Sequence, residues 1–215
     1  MARGANDVVE LLYSWMGPMS EAGDRFDPAA AGQADLLLRA RAGDRDAFEI
    51  LMARHERLVF HTAWRLLGDR EEARNAAQEV FLRLHRFLHR VDPRRPLEPW
   101  LYRLTVNACR DLQRRRPPRP HLPLDALDSA GLPAAAAEPG QETALEAGDA
   151  RRLVAAALRR LPPRERAAVV LRDIEGLSAE EAARILGSTA ATVRSQACSA
   201  RLKIRRFAER LWRRP

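Results

Sequence analysis

Lysine is almost missing from this sequence. Lys203 is the only one, so 36 of the 37 basic residues are arginine. Arginine presents a planar fork of donors that suits phosphate oxygens and base edges. A GC-rich coding bias gives the same skew, so the preference alone identifies nothing. Cysteine is scarce as well. Cys109 and Cys198 stand far apart, which argues against a disulfide framework or a cysteine-rich zinc site and points to a reducing, cytoplasmic setting. No apolar run reaches the ~18 residues of a membrane span, so no membrane insertion is expected. The apolar stretch from Val8 to Met19 carries Glu10 and lacks the basic start and cleavage site of a signal peptide. Neither a Gly-rich phosphate loop nor a nucleophile elbow nor a paired-carboxylate pattern occurs, so no catalytic residue is named and the chain reads as a non-enzyme. His85 and His89 are four apart on one helix, but HRFLH has no glutamate beside the first histidine and no evident third ligand. No metal and no cofactor is expected.

What the sequence does contain is enough chain for one large domain or two small ones: 215 residues, 46% of them hydrophobic. Its net charge of +8 is unevenly spread. Residues 1–33 are acidic, 34–116 basic, 117–150 acidic and 151–215 strongly basic, with +10 on that last block. Such asymmetry speaks to partners rather than to fold. Residues 117–140 read PPRPHLPLDALDSAGLPAAAAEPG, where proline removes donors and no period survives, so this is a linker. The expected organisation is therefore a poorly ordered extension over 1–33, a helical domain over 34–116, a linker over 117–144 and a second helical domain over 145–215. Within the extension, Val8, Val9, Leu11, Leu12, Trp15 and Met16 fit a small amphipathic helix. The fold class is all-α, two small helical domains joined by a flexible Pro/Ala-rich linker.

In the first basic block the apolar spacing is helical throughout. Ala34, Leu37 and Leu38 fit a short helix ended by Gly43. Phe48, Leu51, His55, Leu58, Thr62 and Leu66 share the face of a second, closed by Gly68. Ala73, Ala77, Val80, Phe81, Leu84 and Leu88 build a third. VDPRRPLEP breaks the pattern, and a last helix turns Leu101, Leu104, Ala108 and Leu112 to the core. Its other face carries Trp100, Arg103, Asn107, Arg110 and Arg114 at steps of three and four. A stacking ring beside a cationic track suits single-stranded or melted nucleic acid; a solvated face with a half-buried tryptophan explains the same stripe.

The second basic block is more specific. Pro162-Pro163 ends one helix and opens the next, which carries Ala167, Val170, Leu171 and Ile174 to its core face and stops at Gly176. Ser178 with Glu181 spells a capping box for a short helix, Ala179 to Leu186. Gly187 suits a left-handed turn, and Ser188 or Thr189 caps a third helix. Two helices joined through a short Gly-containing turn make a helix-turn-helix. Small Ala183 permits the close crossing and Val193 locks it. The second helix then exposes Thr192, Arg194, Ser195, Gln196, Ser199 and Lys203, donors and acceptors suited to major-groove edges and phosphates. The bland alternative is a helical hairpin with a charged outer face. Cys198 lies on the same helix with no resolving cysteine near it, and reads as a small groove-facing residue rather than a redox sensor.

Three segments together resemble the sigma factors of bacterial RNA polymerase, in particular the small extracytoplasmic-function kind (group 4 of the sigma-70 family). GDREEARNAAQEVFLRL is similar to their core-binding segment, PWLYRLTVNACRDLQRRR to their promoter-melting helix, and LPPRERAAVVLRDIEGLSAEEAARILGSTAATVRS to their C-terminal helix-turn-helix. The resemblance spans about 34–116 and 145–207. It implies a non-catalytic subunit that binds core RNA polymerase, recognises and melts the promoter −10 element with its first domain and reads the −35 element with its second. Asp69, Glu72, Gln78, Glu79, Phe81 and Leu82 would dock on the clamp of the largest polymerase subunits. The loop Val91–Pro99, with Arg94 and Arg95, would capture a flipped −10 base, and Trp100, Arg103, Asn107, Arg110 and Arg114 would hold the melted strand. Thr192, Arg194, Ser195, Gln196, Cys198, Ser199 and Lys203 would meet the −35 element. An anti-sigma factor is a further partner that the family implies. The sequence departs from the pattern at Arg74 and Asn75, where an acidic pair is usual, and at Gln196 and Ser199, where arginines are usual. A polymerase-independent helix-turn-helix regulator is the alternative; it would need no docking helix.

Overall fold

A computed structural model describes residues 28–115 and 153–212, and all the regular elements among these residues are helical. The first set comprises α1 (Pro28–Arg41), α2 (Arg45–Leu67), α3 (Arg70–Phe87), a 3-10 turn (Leu88–Arg90) and α4 (Glu98–Arg115). Helix α1 begins six residues ahead of the boundary read at 34. The expected amphipathic helix of the extension, and the linker, lie outside the described residues.

Local chemistry fixes these helices. Asp44 accepts the Ala47 N–H at 3.1 Å at the start of α2, and Asp69 accepts the Glu72 N–H at 3.0 Å at the start of α3. Gly68 ends α2 with φ 73°, where its N–H reaches the Trp64 carbonyl. The core takes Leu37, Leu51, Val59, Leu84, Leu97, Leu101 and Val106, all fully buried. Leu104 and Leu112, expected in the core, are only half-buried at its margin. Thr105 is buried because its hydroxyl donates to the Leu101 carbonyl at 2.8 Å, so no polar group is left unsatisfied there.

The second set comprises α5 (153–160), α6 (Pro163–Val169), a π-helical turn (Val170–Ile174), α7 (Ala179–Leu186) and α8 (Ala190–Trp212). The capping box is complete: the Glu181 N–H donates to Ser178 Oγ at 3.2 Å and the Ser178 N–H donates to Glu181 Oε2 at 2.8 Å. Gly187 adopts φ 64°, and the Ser188 N–H returns to the Ala183 carbonyl at 3.0 Å. Of the two proposed caps for α8 it is Thr189 that serves, accepting the Thr192 N–H at 3.1 Å. Val193 is fully buried and Ala183 is buried as well.

Two further findings depart from the sequence reading. Ile174 is half-buried rather than in the core, because the helix loosens into a π turn at Val170 and the face rotates. The two helical sets, read as tethered modules, are packed on one another: α4 lies against α7, and α2 against α6 and the π turn.

Candidate nucleic-acid interface

The helix-turn-helix orients one face of α8 outward. Thr192, Arg194, Ser195 and Cys198 are exposed along its first turns, whereas Gln196, Ser199 and Lys203 are half-buried. Val193, Ala197 and Ala200 take the opposite face, so the register is set by the core. Arg194 Nη1 reaches Glu180 Oε1 at 3.1 Å, with both side chains largely exposed. An exposed pair of this kind contributes well under about 1 kcal/mol, so the guanidinium is readily released to a stronger anion. Lys203 differs. Its ammonium lies 2.8 Å from both oxygens of Glu165, which also accepts from the Ser199 hydroxyl at 3.1 Å. Glu165, in the first turn of α6, therefore ties this stretch of α8 to the domain's own framework.

On the first domain, α4 carries the arginine stripe. Arg103 and Arg114 are exposed; Trp100, Asn107 and Arg110 are half-buried. Trp100 is partly buried and packs against the core, so the ring is anchored while part of it stays open to solvent. Ahead of it the loop is pinned at its apolar ends by buried Val91 and Leu97, and Arg94, Arg95 and Pro96 project between them. Arg41 donates to the Leu88 and Val91 carbonyls, and Asp92 accepts the Arg94 N–H at 3.0 Å, so the loop is held at its base. Arg110 does not point freely to solvent. Its Nη2 donates to the Leu186 carbonyl at 3.2 Å, at the end of α7. Burial and the neighbouring cations of Arg114 and Arg164 lower its pKa from the ordinary guanidinium value.

The proposed polymerase face lies on α3. Asp69, Gln78, Glu79 and Leu82 are exposed, and Glu72 and Phe81 are half-buried. Leu82 is 60% exposed, the most open of the large hydrophobic side chains among the described residues. Arg74 and Asn75 are also exposed on this helix. Glu79 is held by Arg83 at 2.6 Å, and Arg83 also grips Asp111 of α4 at 3.1 Å, tying α3 to α4. His85 meets Phe48 edge-on at 5.0 Å, an aromatic contact rather than a metal geometry. Among the described residues no three His, Cys, Asp or Glu side chains are grouped to hold a metal ion. No described helix is long and apolar enough to cross a membrane. Cys109 is buried, and desolvation pushes its thiol up to about 12, which leaves it protonated and inert.

Sequence reasoning missed Glu175 and Arg166, which join the two domains. Thr62 donates to Glu175 Oε1 at 2.9 Å, Arg65 to the same oxygen at 2.8 Å, and Tyr102 to Oε2 at 3.0 Å. The buried Arg166 donates to the Leu66 carbonyl of α2 at 2.8 Å and to the carbonyls of Arg159 and Leu161 at 2.8 and 3.0 Å. Desolvation brings its pKa down to about 10, so the group still carries its charge at neutral pH. Nothing local marks either residue: Arg166 stands in α6 directly after Arg164 and Glu165, one charge among several.

Comparison with known proteins now bears on these surfaces. The model for sigma-70 region 2 matches residues 51–117, and that for sigma-70 region 4 matches 151–204. The extracytoplasmic-function (ECF) RNA polymerase sigma factor SigM of Mycobacterium tuberculosis is 36% identical over 174 residues, covering 81% of this chain and 83% of that protein. Among solved structures, CnrH in complex with the cytosolic domain of CnrY superposes with a TM-score of 0.58 at 28% identity, over 83% of this chain and 97% of the other. The sigma factor RpoE of Bartonella quintana, in complex with the anti-sigma factor NepR, shares the fold with a TM-score of 0.58 at 21% identity, over 75% of this chain and 96% of the other. The chain belongs to the extracytoplasmic-function sigma factors of the sigma-70 family, proteins that are not enzymes but direct RNA polymerase to start transcription at specific promoters.

Proposed function

We propose that the exposed first turns of α8 read the −35 element, that the Val91–Pro99 loop and the α4 stripe capture and hold the melted −10 strand, and that the Leu82 face of α3 docks on core polymerase. The observation that carries this reading is the outward face of α8, where Thr192, Arg194, Ser195 and Cys198 stand together beyond a capped left-handed turn. That is the geometry in which a helix N-terminus enters a major groove. Ser199 and Lys203, bound to Glu165, position the helix and approach phosphates only when that pair opens. Unstacking a −10 base costs a few kcal/mol, which a stacking ring at Trp100 and phosphate contacts from Arg94, Arg95, Arg103 and Arg114 offset. An anti-sigma factor completes the partner set, as the Bartonella relative supports. The reading puts the chain beside the polymerase, in the cytoplasm, with no metal and no cofactor assigned.

In-vitro transcription with purified core polymerase and a genomic fragment library tests the reading. Arg194→Ala weakens initiation at −35-dependent start sites about 5- to 100-fold, the discrimination a good base contact supplies, and leaves polymerase affinity intact. Trp100→Ala blocks open-complex formation, scored by permanganate reactivity, after normal closed-complex binding. Equal loss of polymerase affinity in both variants overturns the assignments.

A further inference from the structure

Two side chains of α1 reach the loop that leads into α4. Gln33, Leu37 and Arg41 stand four residues apart, so they share one face of α1. Leu37 is fully buried and anchors that face on the core. Gln33 Nε2 donates to the Arg95 carbonyl at 3.4 Å. Arg41 Nε donates to the Leu88 carbonyl at 3.0 Å, and its Nη2 donates to the Val91 carbonyl. The guanidinium fork therefore spans the carbonyl end of the 3-10 turn, where partial negative charge collects. Beyond this point the loop makes its own bonds. Asp92 accepts the Arg94 N–H through its side chain at 3.0 Å and the Arg95 N–H through its carbonyl at 3.2 Å. These bonds fix the shape of a turn that leaves Arg94 and Arg95 exposed. They do not fix where the turn points. Its far end is set by buried Leu97, whose carbonyl starts α4 by accepting the Trp100 and Leu101 N–H groups at 3.1 and 3.0 Å. Its near end is set by the direction in which the chain leaves Val91, and there the polar hold comes from α1.

We propose that Arg41 is a positioning residue for −10 recognition: its bonds to the Leu88 and Val91 carbonyls aim the Arg94–Arg95 turn, so that base choice at the captured position depends on a side chain of α1 acting through the loop's backbone. The proposal rests on the reading of Val91–Pro99 as the loop that captures a −10 base. A recognition site tolerates only about half an ångström of misplacement, so a loosened near end costs discrimination before it costs folding. Arg41 is exposed apart from this grip, so its loss spares the core. Lysine keeps the charge but lacks the planar fork that serves two acceptors at once. A direct phosphate contact is the competing role for an exposed arginine. It gives a different pattern: weaker binding to all sequences alike and a shallower salt dependence.

Two measurements on the full chain test this. Hydrogen–deuterium exchange read by mass spectrometry follows the backbone of residues 91–97. In-vitro transcription with core polymerase, from a template library randomised across the −10 region, gives the base preference at each position. Arg41→Ala speeds exchange over the loop about tenfold, the low end for hydrogen bonds to a charged group because the site is exposed. It lowers the preference for the best base over the worst at the captured position about threefold or more, and leaves the salt dependence of transcript yield as in the parent. Arg41→Lys shows smaller changes in the same direction, and it decides the matter if Arg41→Ala loses its helical signal in circular dichroism. Arg45→Ala, which removes one charge from an exposed site at the start of α2, changes none of these readouts. Unchanged exchange in the deciding variant overturns the positioning. Full restoration by lysine, with a shallower salt dependence in Arg41→Ala, overturns it too and marks a phosphate contact. If exchange rises but preference holds, the paired variant Arg94→Ala/Arg95→Ala separates the causes. Preference lost there overturns the part of Arg41 in base choice; preference kept there refutes the loop reading itself, while the hold of Arg41 on the loop stands.

Discussion

Replacing Leu82 with alanine isolates polymerase docking from folding. Leu82 leaves 60% of its surface in water on α3, among Gln78, Glu79 and Phe81. Burying a whole leucine side chain is worth roughly 1.5–3 kcal/mol. Covering the three-fifths still open is then worth about 1–2 kcal/mol, or about 5- to 30-fold in affinity. The same exposure means that the folded chain gains little from the side chain, so thermal unfolding should hardly move. Fluorescence titration of core polymerase with labelled chain measures the affinity. Leu38→Ala is the control, since Leu38 is 54% exposed on α1 and is assigned no contact. If Leu82→Ala binds as well as the parent, or if Leu38→Ala loses as much, the docking face is misplaced.

Other perturbations target single contacts. Ser178→Ala removes one half of the capping box and costs about 1 kcal/mol of stability in urea unfolding; an unchanged midpoint shows that the box adds nothing. Gly187→Ala meets no atom within 4 Å but must hold φ 64°, so its cost is backbone strain alone, about 1–2 kcal/mol, and Gly187→Asn should cost less in thermal melts. Burial, the leading cause at both sites, lowers the pKa of His55 and of His61 from the ordinary 6.5. The unfolded chain therefore binds protons that the folded chain does not, so their contribution is full above the unfolded value and is lost as pH falls below it. Urea midpoints should drop between about pH 7.5 and about pH 5.5, and His55→Gln should flatten the drop.

What the sequence makes legible is what local rules govern. Ser178, Glu181 and Gly187 sit at fixed offsets around a short apolar run, and their roles follow from unsatisfied N–H groups and a left-handed turn. Val193 and Ala183 follow from the crossing those termini impose. Spacing places the stripe of α4 on one face, but spacing gives direction and not company. Arg110 has the right direction and a neighbour, Leu186, 76 residues away. Ile174 misleads for a different reason: a period of 3.6 assumes an unbroken helix, and the π turn inserts a residue where no proline or glycine announces it. Glu175 sits in a segment whose resemblance to a DNA-reading unit is plain, yet its partners Thr62 and Tyr102 lie 113 and 73 residues away. No window along the chain contains them together.

The chemistry of that hidden contact bears on how it can serve. The two domains share apolar area, since one cluster of buried side chains includes Leu37 and Leu101 of the first and Leu158 and Leu171 of the second, and such burial is favourable in any register. Here the centre of the contact is a carboxylate with three donors, flanked by guanidiniums on helix carbonyls. Removing such groups from water cancels much of what their pairing returns, so the net hold is small even where the geometry is good. Breaking one partner alone is costly, however, because the remainder is stranded away from water. The polar centre thus fixes the orientation of the contact, while the apolar cluster shared by both domains supplies the hold.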